Sequence, residues 1–259
     1  MRFIKEFIGE FLGTFIIVFF GCGSVASAIL FGSYSSLFEI AMVWFIGVSL
    51  AIYVAHHFSD AHLNPAVTFG FAVLGTFSYK KIPLYIVSQF FGAFCSAAVL
   101  YFIFSGFIAD FESVNSIIRG SEASIVSASM FGEYFPNPGF SEKFKSISVF
   151  QAFTAEFIGT FVLMFMILWL ISEKNVSKFT PMLIGFTVAA LITLFAPITQ
   201  GGFNPARDFG PRLFSYFAGW GNIVFQKPSF SFATVYILAP ILGAISASLM
   251  YKGLLKFQD

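Results

Sequence analysis

Two copies of Asn-Pro-Ala, beginning at Asn64 and Asn204, stand out as residues that could bind small polar molecules. Asn is a favoured N-cap residue and Pro suits the first helical position, so each copy predicts the start of a helix. If each Asn caps its own helix with its side-chain oxygen, its amide hydrogens are free to donate to a bound molecule. Arg207 lies three residues after Asn204, on the same helix face, and adds a fixed cation. The indicated chemistry is hydrogen bonding to polar solutes, because no nucleophile–base pattern or phosphate-binding loop accompanies these residues.

The chain around these motifs has the composition of a membrane protein. Of its 259 residues, 58% are hydrophobic and 10% are charged, whereas a soluble domain carries about 25% charged residues. The net charge of +1 gives no reason to expect nucleic acid as a partner. His56, His57 and His62 have only Asp60 nearby and no other partner at ligand spacing, so no metal site is expected.

Six hydrophobic runs reach the roughly 20 residues that are needed to cross a bilayer. They cover about 6–30, 37–58, 83–108, 149–172, 180–198 and 231–254. Two shorter runs, about 64–77 and 204–218, cannot span, and each begins at an Asn-Pro-Ala. We expect the first run to be a retained span and not a cleaved signal peptide. The predicted fold class is an all-α membrane protein with six transmembrane helices and two half-helices.

The two halves of the sequence repeat each other. Glu10, in Gly-Glu-Phe-Leu-Gly-Thr-Phe, matches Glu156, in Ala-Glu-Phe-Ile-Gly-Thr-Phe, and each opens a unit of three spans with one Asn-Pro-Ala. Three spans per unit make the second copy inverted relative to the first. We therefore predict a first repeat over 1–108, an extracytoplasmic connecting loop over 109–148 and a second repeat over 149–259. In inverted-repeat membrane proteins the broken helices mark the binding site near the midplane.

The distribution of Lys and Arg predicts that both termini are cytoplasmic. The membrane itself is expected to be the plasma (cell inner) membrane. The ends and loops of one face hold Arg2, Lys5, Lys80, Lys81, Lys174, Lys178, Lys252 and Lys256. The opposite face holds only Arg119, Lys143, Lys145 and Lys227.

The residues before each Asn-Pro predict a ladder of hydrogen-bond acceptors. Irregular backbone at membrane depth must be buried in protein or line a wet cavity, so its carbonyl groups would face a pore. The ladder residues are Asp60, Ala61, His62 and Leu63 in the first repeat and Thr199, Gln200, Gly201 and Gly202 in the second. Two half-helix N-termini that face the middle would also create a positive potential, which repels cations and protons.

Three carboxylates are predicted to brace this arrangement. Glu10 and Glu156 occupy matched positions, so we expect each to accept hydrogen bonds from the irregular loop of its own repeat. A proton relay is the alternative role for these two intramembrane carboxylates. Asp208 suits the N-terminus of a helix and has Arg212 at i+4 as a partner.

Together these residues resemble the aquaporin superfamily, and within it the glycerol facilitator branch. The resemblance is carried by both Asn-Pro-Ala boxes, by Glu-Phe-x-Gly-Thr in both halves, by Arg207 after the second box, and by Asp208 followed by Arg212. It implies passive diffusion of glycerol, water and other small uncharged solutes with exclusion of protons and ions. It also implies an hourglass of six tilted helices, usually a homotetramer in the lipid bilayer. The resemblance implies neither an enzymatic activity nor a cofactor.

The same resemblance implies an outer selectivity filter, where this chain departs from the family pattern. Arg207 and Trp44 would form the filter as usual. Gly201 stands where the glycerol branch usually has Phe, and Ile192 occupies a position that is usually small. Gly201 should enlarge the filter or let Phe203 swing into it, while Ile192 should partly refill the space.

Asp60 is a third departure, because the family usually has Gly at this position. Its carboxylate would either attract cations on the cytoplasmic approach or pair with His57 or a Lys. The departures leave a water-selective or a broad small-solute channel as alternatives to a glycerol channel. A proton-coupled secondary transporter that uses Glu10 and Glu156 is a further alternative. A non-conducting adhesion or scaffold protein is disfavoured, because it would have no use for Arg207 in the membrane.

Overall fold

The computed structural model describes residues 2–140, 146–226 and 230–257. Within those ranges the regular secondary structure is entirely helical. Lys143, Lys145 and Lys227, which contribute to the predicted orientation, lie outside the described residues.

The helices follow the predicted hydrophobic runs. Their bounds are α1 (Arg2–Phe31), α2 (Leu37–Ala55), α3 (Pro65–Leu74), α4 (Ile82–Val114), α5 (Ile125–Ala128), α6 (Val149–Leu170), α7 (Thr180–Thr199), α8 (Pro205–Ser215), α9 (Ile223–Gln226) and α10 (Ala239–Leu255). A π-helical segment, Ala233–Leu238, continues directly into α10. In the described part of the chain, six helices are long and apolar enough to cross a membrane: α1, α2, α4, α6, α7, and α10 with its π-helical segment. The predicted fold class is confirmed.

The two half-helices begin at the predicted prolines and end earlier than the hydrophobic runs. α3 has 10 residues and stops at Gly75, which has a left-handed backbone with φ 91°. α8 has 11 residues and gives way to a π-helical turn in which Gly219 has φ 104°. At 1.5 Å per residue both helices are about 15 Å long, so neither can cross the hydrocarbon core alone.

Each repeat packs its first long helix against its third through one glycine. A Cβ atom added to Gly92 on α4 would lie 2.3 Å from the carbonyl oxygen of Phe11 on α1. A Cβ atom added to Gly243 on α10 would lie 2.3 Å from the carbonyl oxygen of Phe157 on α6. Phe11 and Phe157 directly follow the repeated Glu residues. The two repeats therefore use the same helix crossing.

The half-helices are exchanged between the repeats. α3, from the first repeat, packs on α10, and α8, from the second, packs on α4. Small residues allow both contacts, because a Cβ atom on Gly70 would meet Met164 and Ser248, and one on Gly210 would meet Ala93. The repeats consequently form one interlocked body, with both Asn-Pro-Ala boxes at its centre.

The connecting loop is only partly the hydrophilic segment that its composition suggests. α4 continues to Val114, and residues 127–135 are all buried. The buried stretch is anchored from both sides, since the Ser127 hydroxyl donates to Glu112 at 2.6 Å and the backbone N–H of Tyr134 donates to Gln200 at 2.8 Å. The loop therefore folds back into the protein, next to the second Asn-Pro-Ala.

The glycine crossing generates a stability prediction with a matched control on the same helix. Gly92→Ala should destabilise the protein by about 1–3 kcal/mol, because the added methyl group meets a helix backbone that cannot move aside. Gly106→Ala should be neutral or slightly stabilising, because a Cβ atom there meets nothing within 4 Å. Thermal unfolding in detergent measures both variants. Equal melting temperatures for the two would contradict the tight crossing.

Candidate solute pore

The two Asn-Pro-Ala boxes meet N-terminus to N-terminus. The side-chain oxygen of Asn64 accepts from the N–H of Ala66 at 2.8 Å, and that of Asn204 accepts from Ala206 at 3.0 Å. Each side-chain amide donates across the repeat boundary. Asn64 Nδ2 donates to the carbonyl of Phe203 at 2.8 Å, and Asn204 Nδ2 donates to that of Leu63 at 2.9 Å.

This arrangement corrects the expectation that both amide hydrogens of each Asn are free. An amide group carries two N–H donors, and the structure uses one of them to tie the repeats together. Asn64 and Asn204 both line a central cavity. One N–H donor per Asn is therefore available to a molecule in the cavity.

The loops before the two boxes have the same alternating backbone. Residues one and three positions before each Asn are left-handed, with φ values of 54° at Leu63, 53° at Ala61, 53° at Phe203 and 79° at Gly201. In a non-glycine residue this conformation costs roughly 1–2 kcal/mol. Strain of this kind persists only where the surroundings hold the backbone in place.

The repeated glutamates hold these loops. Glu10 accepts from the N–H groups of His62 and Leu63 at 3.0 and 2.7 Å. Glu156 accepts from the N–H groups of Gly202 and Phe203, also at 3.0 and 2.7 Å. Both carboxylates are completely buried. Each therefore makes the contacts that the predicted brace requires.

The same contacts orient the carbonyl groups. The N–H and C=O groups of a trans peptide point in opposite directions. Because the N–H groups of His62 and Gly202 point towards the glutamates, the carbonyls of Ala61 and Gly201 point away from them. The following peptides orient the carbonyls of His62 and Gly202 in the same way. All four of these residues line the cavity, as do Asp60 and Leu63.

Two of the predicted ladder residues do not belong to the lining. The carbonyl of Thr199 accepts from the hydroxyl of Tyr236 at 3.1 Å, and its own hydroxyl donates to Glu156 at 2.6 Å. The side chain of Gln200 accepts from Tyr134 and donates to the carbonyl of Ser129. Thr199 is therefore a support for the loop and not a ladder residue, because its carbonyl and hydroxyl already have protein partners. The side chain of Gln200 ties the loop to the connecting loop, and the ladder role of its backbone carbonyl stays a prediction.

Arg207 lines the cavity, with 1% of its surface exposed. Its Nη1 donates to the carbonyl of Phe131 at 2.8 Å, and its Nε lies 2.8 Å from Oε1 of Glu133. The guanidinium carbon is 4.8 Å from the centre of the Trp44 ring, which is a cation–π contact. Arg207 and Trp44 thus lie together, as the filter prediction expects.

Glu133 is a site residue that the sequence analysis missed. It belongs to the connecting loop, yet its side chain is fully buried beside Arg207. One signal was available: it is the only charge in the otherwise uncharged stretch 123–141. That pattern suggests burial but does not identify the partner.

The space beside Gly201 is bounded by apolar side chains. A Cβ atom on Gly201 would lie 3.3 Å from the Phe203 ring and 3.6 Å from Ile192. The Phe203 ring occupies a groove above Gly159, where a Cβ atom would lie 2.0 Å from Cε1 of the ring. Phe203 lines the cavity, whereas Ile192 is buried behind Gly201 and is not among the lining residues of the described chain. Ile192 thus occupies part of the space beside Gly201 from behind, without lining the cavity itself in the described chain.

Asp60 lines the cavity, as does Lys178. Its carboxylate accepts from the hydroxyl of Tyr85 at 3.1 Å. Its predicted partners were His57 or a Lys, so Tyr85 replaces them. His62 is held nearby, because its Nδ1 lies 3.2 Å from the hydroxyl of Thr68. Among the residues that the structure describes, no group of three His, Cys, Asp or Glu side chains could hold a metal ion.

Asp208 links α8 to the connecting loop. Its carboxylate binds Arg212 at 2.8 and 3.0 Å and accepts from the backbone N–H of Glu133 at 2.8 Å. Arg212 also donates to the carbonyl of Glu133. Asp208 and Arg212 therefore hold the backbone of Glu133, the residue whose side chain faces Arg207.

The cavity measures about 800 Å³. Its lining also includes the apolar side chains Ile17, Val48, Leu163, Ile167, Ile184 and Val188. The cavity therefore offers both hydrogen-bonding groups and hydrocarbon to a molecule inside it.

Comparisons with known proteins agree with this architecture. The family model described as "Major intrinsic protein" matches residues 1–251. The glycerol uptake facilitator protein of Pseudomonas aeruginosa is 40% identical over 97% of this chain and 88% of its own length. The propanediol uptake facilitator PduF of Salmonella typhimurium is 36% identical over 95% and 90%.

A solved structure is similar along the whole chain. The aquaglyceroporin from Plasmodium falciparum superimposes with a TM-score of 0.84 at 30% identity, covering 98% of this chain and 97% of its own. The family model and the relatives span both repeats and the connecting loop. This protein therefore belongs to the major intrinsic protein family and is a multi-pass integral membrane protein.

Proposed function

We propose that the protein is a passive channel for glycerol and water, and for other small uncharged solutes. The observation that carries this proposal is the cavity that is lined by Asp60 and Lys178, by Trp44 and Arg207, and by the Asn residues of both Asn-Pro-Ala boxes. The names of the relatives support glycerol as a solute. No bond is made or broken in this process, so the protein is not an enzyme.

The cavity lining, which contains both hydrogen-bonding groups and apolar side chains, suits a polyol. A hydroxyl group can accept from Arg207 or from the free N–H of an Asn, and can donate to a loop carbonyl at Ala61 or Gly202. Meanwhile the carbon backbone of the solute packs against the apolar side chains of the lining. Each step replaces hydrogen bonds to water, so the solute crosses without the full cost of desolvation.

We also propose that the channel excludes protons and ions, and the geometry of the two half-helices supports this. The N-termini of α3 and α8 meet at Asn64 and Asn204, so the positive ends of both helix dipoles face the middle of the pore. A cation at that point is repelled. A water molecule there is also held by the Asn donors, which opposes proton transfer along a chain of waters.

A broad small-solute channel is the second candidate. Gly201 supplies no aromatic wall, and the Phe203 ring next to it lies in the groove above Gly159. A filter with one aromatic face selects less strictly by shape than a filter with two. A relative named for propanediol uptake is consistent with such a range.

A proton-coupled transporter is disfavoured by the contacts of the two buried glutamates. Both oxygens of Glu10 and both oxygens of Glu156 accept hydrogen bonds from the protein. In the part of the chain that is described, neither residue lines the cavity. A brace explains these contacts, whereas a proton relay would need a path to the solute.

The channel is proposed to lie in the plasma membrane with both termini cytoplasmic. Lys80, Lys81, Lys174 and Lys178 support this orientation, because they lie in the loops at the end that also holds the N-terminus. Assembly as a homotetramer is proposed on family resemblance.

The first functional prediction concerns glycerol flux. Proteoliposomes that contain the protein should equilibrate an imposed glycerol gradient about tenfold faster than empty liposomes, because the pore replaces the solute's hydration shell. Stopped-flow light scattering measures this rate. Flux that equals the empty-liposome rate would refute the channel, and fast water with slow glycerol would establish a water-selective channel instead.

Arg207→Val should leave the fold intact and weaken discrimination among solutes. The substitution removes the only cationic donor in the filter region, so the ratio of glycerol to urea permeability should fall by about tenfold. Water, glycerol, urea and proton permeabilities are measured in the same vesicles. If all four match the wild type, Arg207 has no filter role.

Glu10→Gln tests the brace against the proton relay. The amide keeps one acceptor oxygen and loses the charge, so two backbone N–H groups compete for it and stability should fall by about 1–3 kcal/mol. Glycerol flux should remain insensitive to a pH gradient before and after the change. Asp110→Asn, at an exposed carboxylate, is the matched control. Flux that follows a pH gradient in the wild type and loses that dependence in Glu10→Gln would support the relay.

A further inference from the structure

A buried carboxylate, that of Glu133, lies beside the filter arginine. Glu133 is fully buried, and Oε1 lies 2.8 Å from Nε of Arg207. It comes from the connecting loop and not from either repeated motif. In the described chain it is not among the cavity-lining residues, and its charged contact with the filter is made with Arg207.

The contacts of Arg207 fix the plane of its guanidinium group. Arginine has five N–H donors in a rigid fork. Nη1 donates to the carbonyl of Phe131, and the ring of Trp44 covers one face of the guanidinium. Nε lies 2.8 Å from Oε1 of Glu133, and this contact is an ion pair, because neither atom makes a hydrogen bond within the described chain. Glu133 therefore positions the guanidinium by charge, beside the hydrogen bond to Phe131.

Glu133 is itself held on three sides. Its backbone N–H donates to Asp208, and its carbonyl accepts from Arg212. A Cβ atom on Gly202 would lie 2.2 Å from Oε2 of Glu133. Gly202 is not one of the left-handed glycines, so the reason for glycine here is room for the carboxylate. The loop before the second Asn-Pro-Ala and the connecting loop therefore pack closely at Gly202 and Glu133.

The pair also changes the charge of the filter. Arg207 and Arg212 face Glu133 and Asp208, so two cations are matched by two carboxylates. Glu156 reaches the other side of Gly202, where its oxygens are occupied by backbone and hydroxyl donors. Solvent and salt screen buried charges weakly, so a carboxylate 2.8 Å from a guanidinium offsets much of its potential in the pore.

We propose that Glu133 is a specificity-determining positioning residue that aims the guanidinium of Arg207 and offsets its charge. The inference rests on the proposed channel function. The filter then selects small solutes by hydrogen bonding and by packing on Trp44, and not by a free positive charge. Small cations such as methylammonium meet less repulsion there than an unpaired arginine would impose. Their exclusion falls mainly to the two half-helix N-termini.

The charge is tested by a double-mutant comparison in proteoliposomes. Arg207→Val leaves the carboxylate of Glu133 unpaired beside the pore, so methylammonium uptake, measured where this probe is fully charged, should rise about tenfold. Adding Glu133→Gln to that variant removes the charge and should reverse most of the rise. Glu133→Gln alone should lower methylammonium uptake below the wild-type level, because Arg207 then keeps its full charge.

The aim of the guanidinium is tested by two further variants that keep the charge. Glu133→Asp shortens the side chain, and Gly202→Ala pushes Oε2 away. Both should shift the ratio of glycerol to urea permeability by about threefold while methylammonium uptake stays near the wild-type level. If the role of Glu133 is purely structural, all fluxes should fall together, and the ratio of glycerol to urea permeability should not change.

The outcomes separate this inference from the proposed function. Wild-type glycerol flux equal to that of empty liposomes would refute the channel itself. A conducting wild type, with equal methylammonium uptake in Arg207→Val and the double variant, would refute the role of Glu133. Gel filtration in detergent checks that each variant is folded. If Glu133→Gln is not folded, Gly202→Ala and Glu133→Asp still decide, since unchanged solute ratios in both would overturn the proposal.

Discussion

The pore depends on one constraint: irregular backbone inside a membrane must have partners for its N–H groups. Glu10 and Glu156 provide those partners, each for two consecutive N–H groups before an Asn-Pro-Ala. A single carboxylate can do this because its two oxygens accept bonds from several directions. The N–H groups turn towards the glutamate, so the carbonyls turn towards the cavity. The carbonyl groups therefore line the cavity because Glu10 and Glu156 bind the N–H groups of the two loops on the side away from it.

The repeated architecture places this loop twice and in opposite directions. The same glycine crossing, Gly92 over Phe11 and Gly243 over Phe157, sets the angle of the long helices in both repeats. Each half-helix then packs on the last long helix of the other repeat. The connecting loop breaks the symmetry, since it brings Glu133 to Arg207 and has no counterpart at Val67. The two ends of the pore therefore differ in chemistry although the scaffold is repeated.

Much of this was predictable from the sequence because the signals are local. Asn-Pro marks a helix start, an intramembrane Glu requires a partner, and hydrophobic runs give the spans. The features that could not be predicted depend on which way a side chain or carbonyl group points, and on contacts between residues that are far apart in the sequence. Thr199 and Gln200 belong to the same loop as Gly201, and only the three-dimensional arrangement shows that Tyr236 and the connecting loop use their polar groups. Asp60 binds Tyr85, which is 25 residues away. Ile192 lies behind Gly201 because of helix rotation, which no periodicity fixes to within one side chain.

The crossed bonds of the two Asn side chains have a consequence for biogenesis. Asn64 donates to the carbonyl of Phe203, and Asn204 donates to that of Leu63, so each box is completed by residues about 140 positions away in the chain. During synthesis the first box enters the membrane long before its partner exists. A half-made chain therefore holds a polar amide and an unpaired carbonyl in a nonpolar setting, and α3 lacks the surface of α10 on which it packs. The first three spans cannot mature as an independent unit, and closure of the pore is the step that joins the two halves.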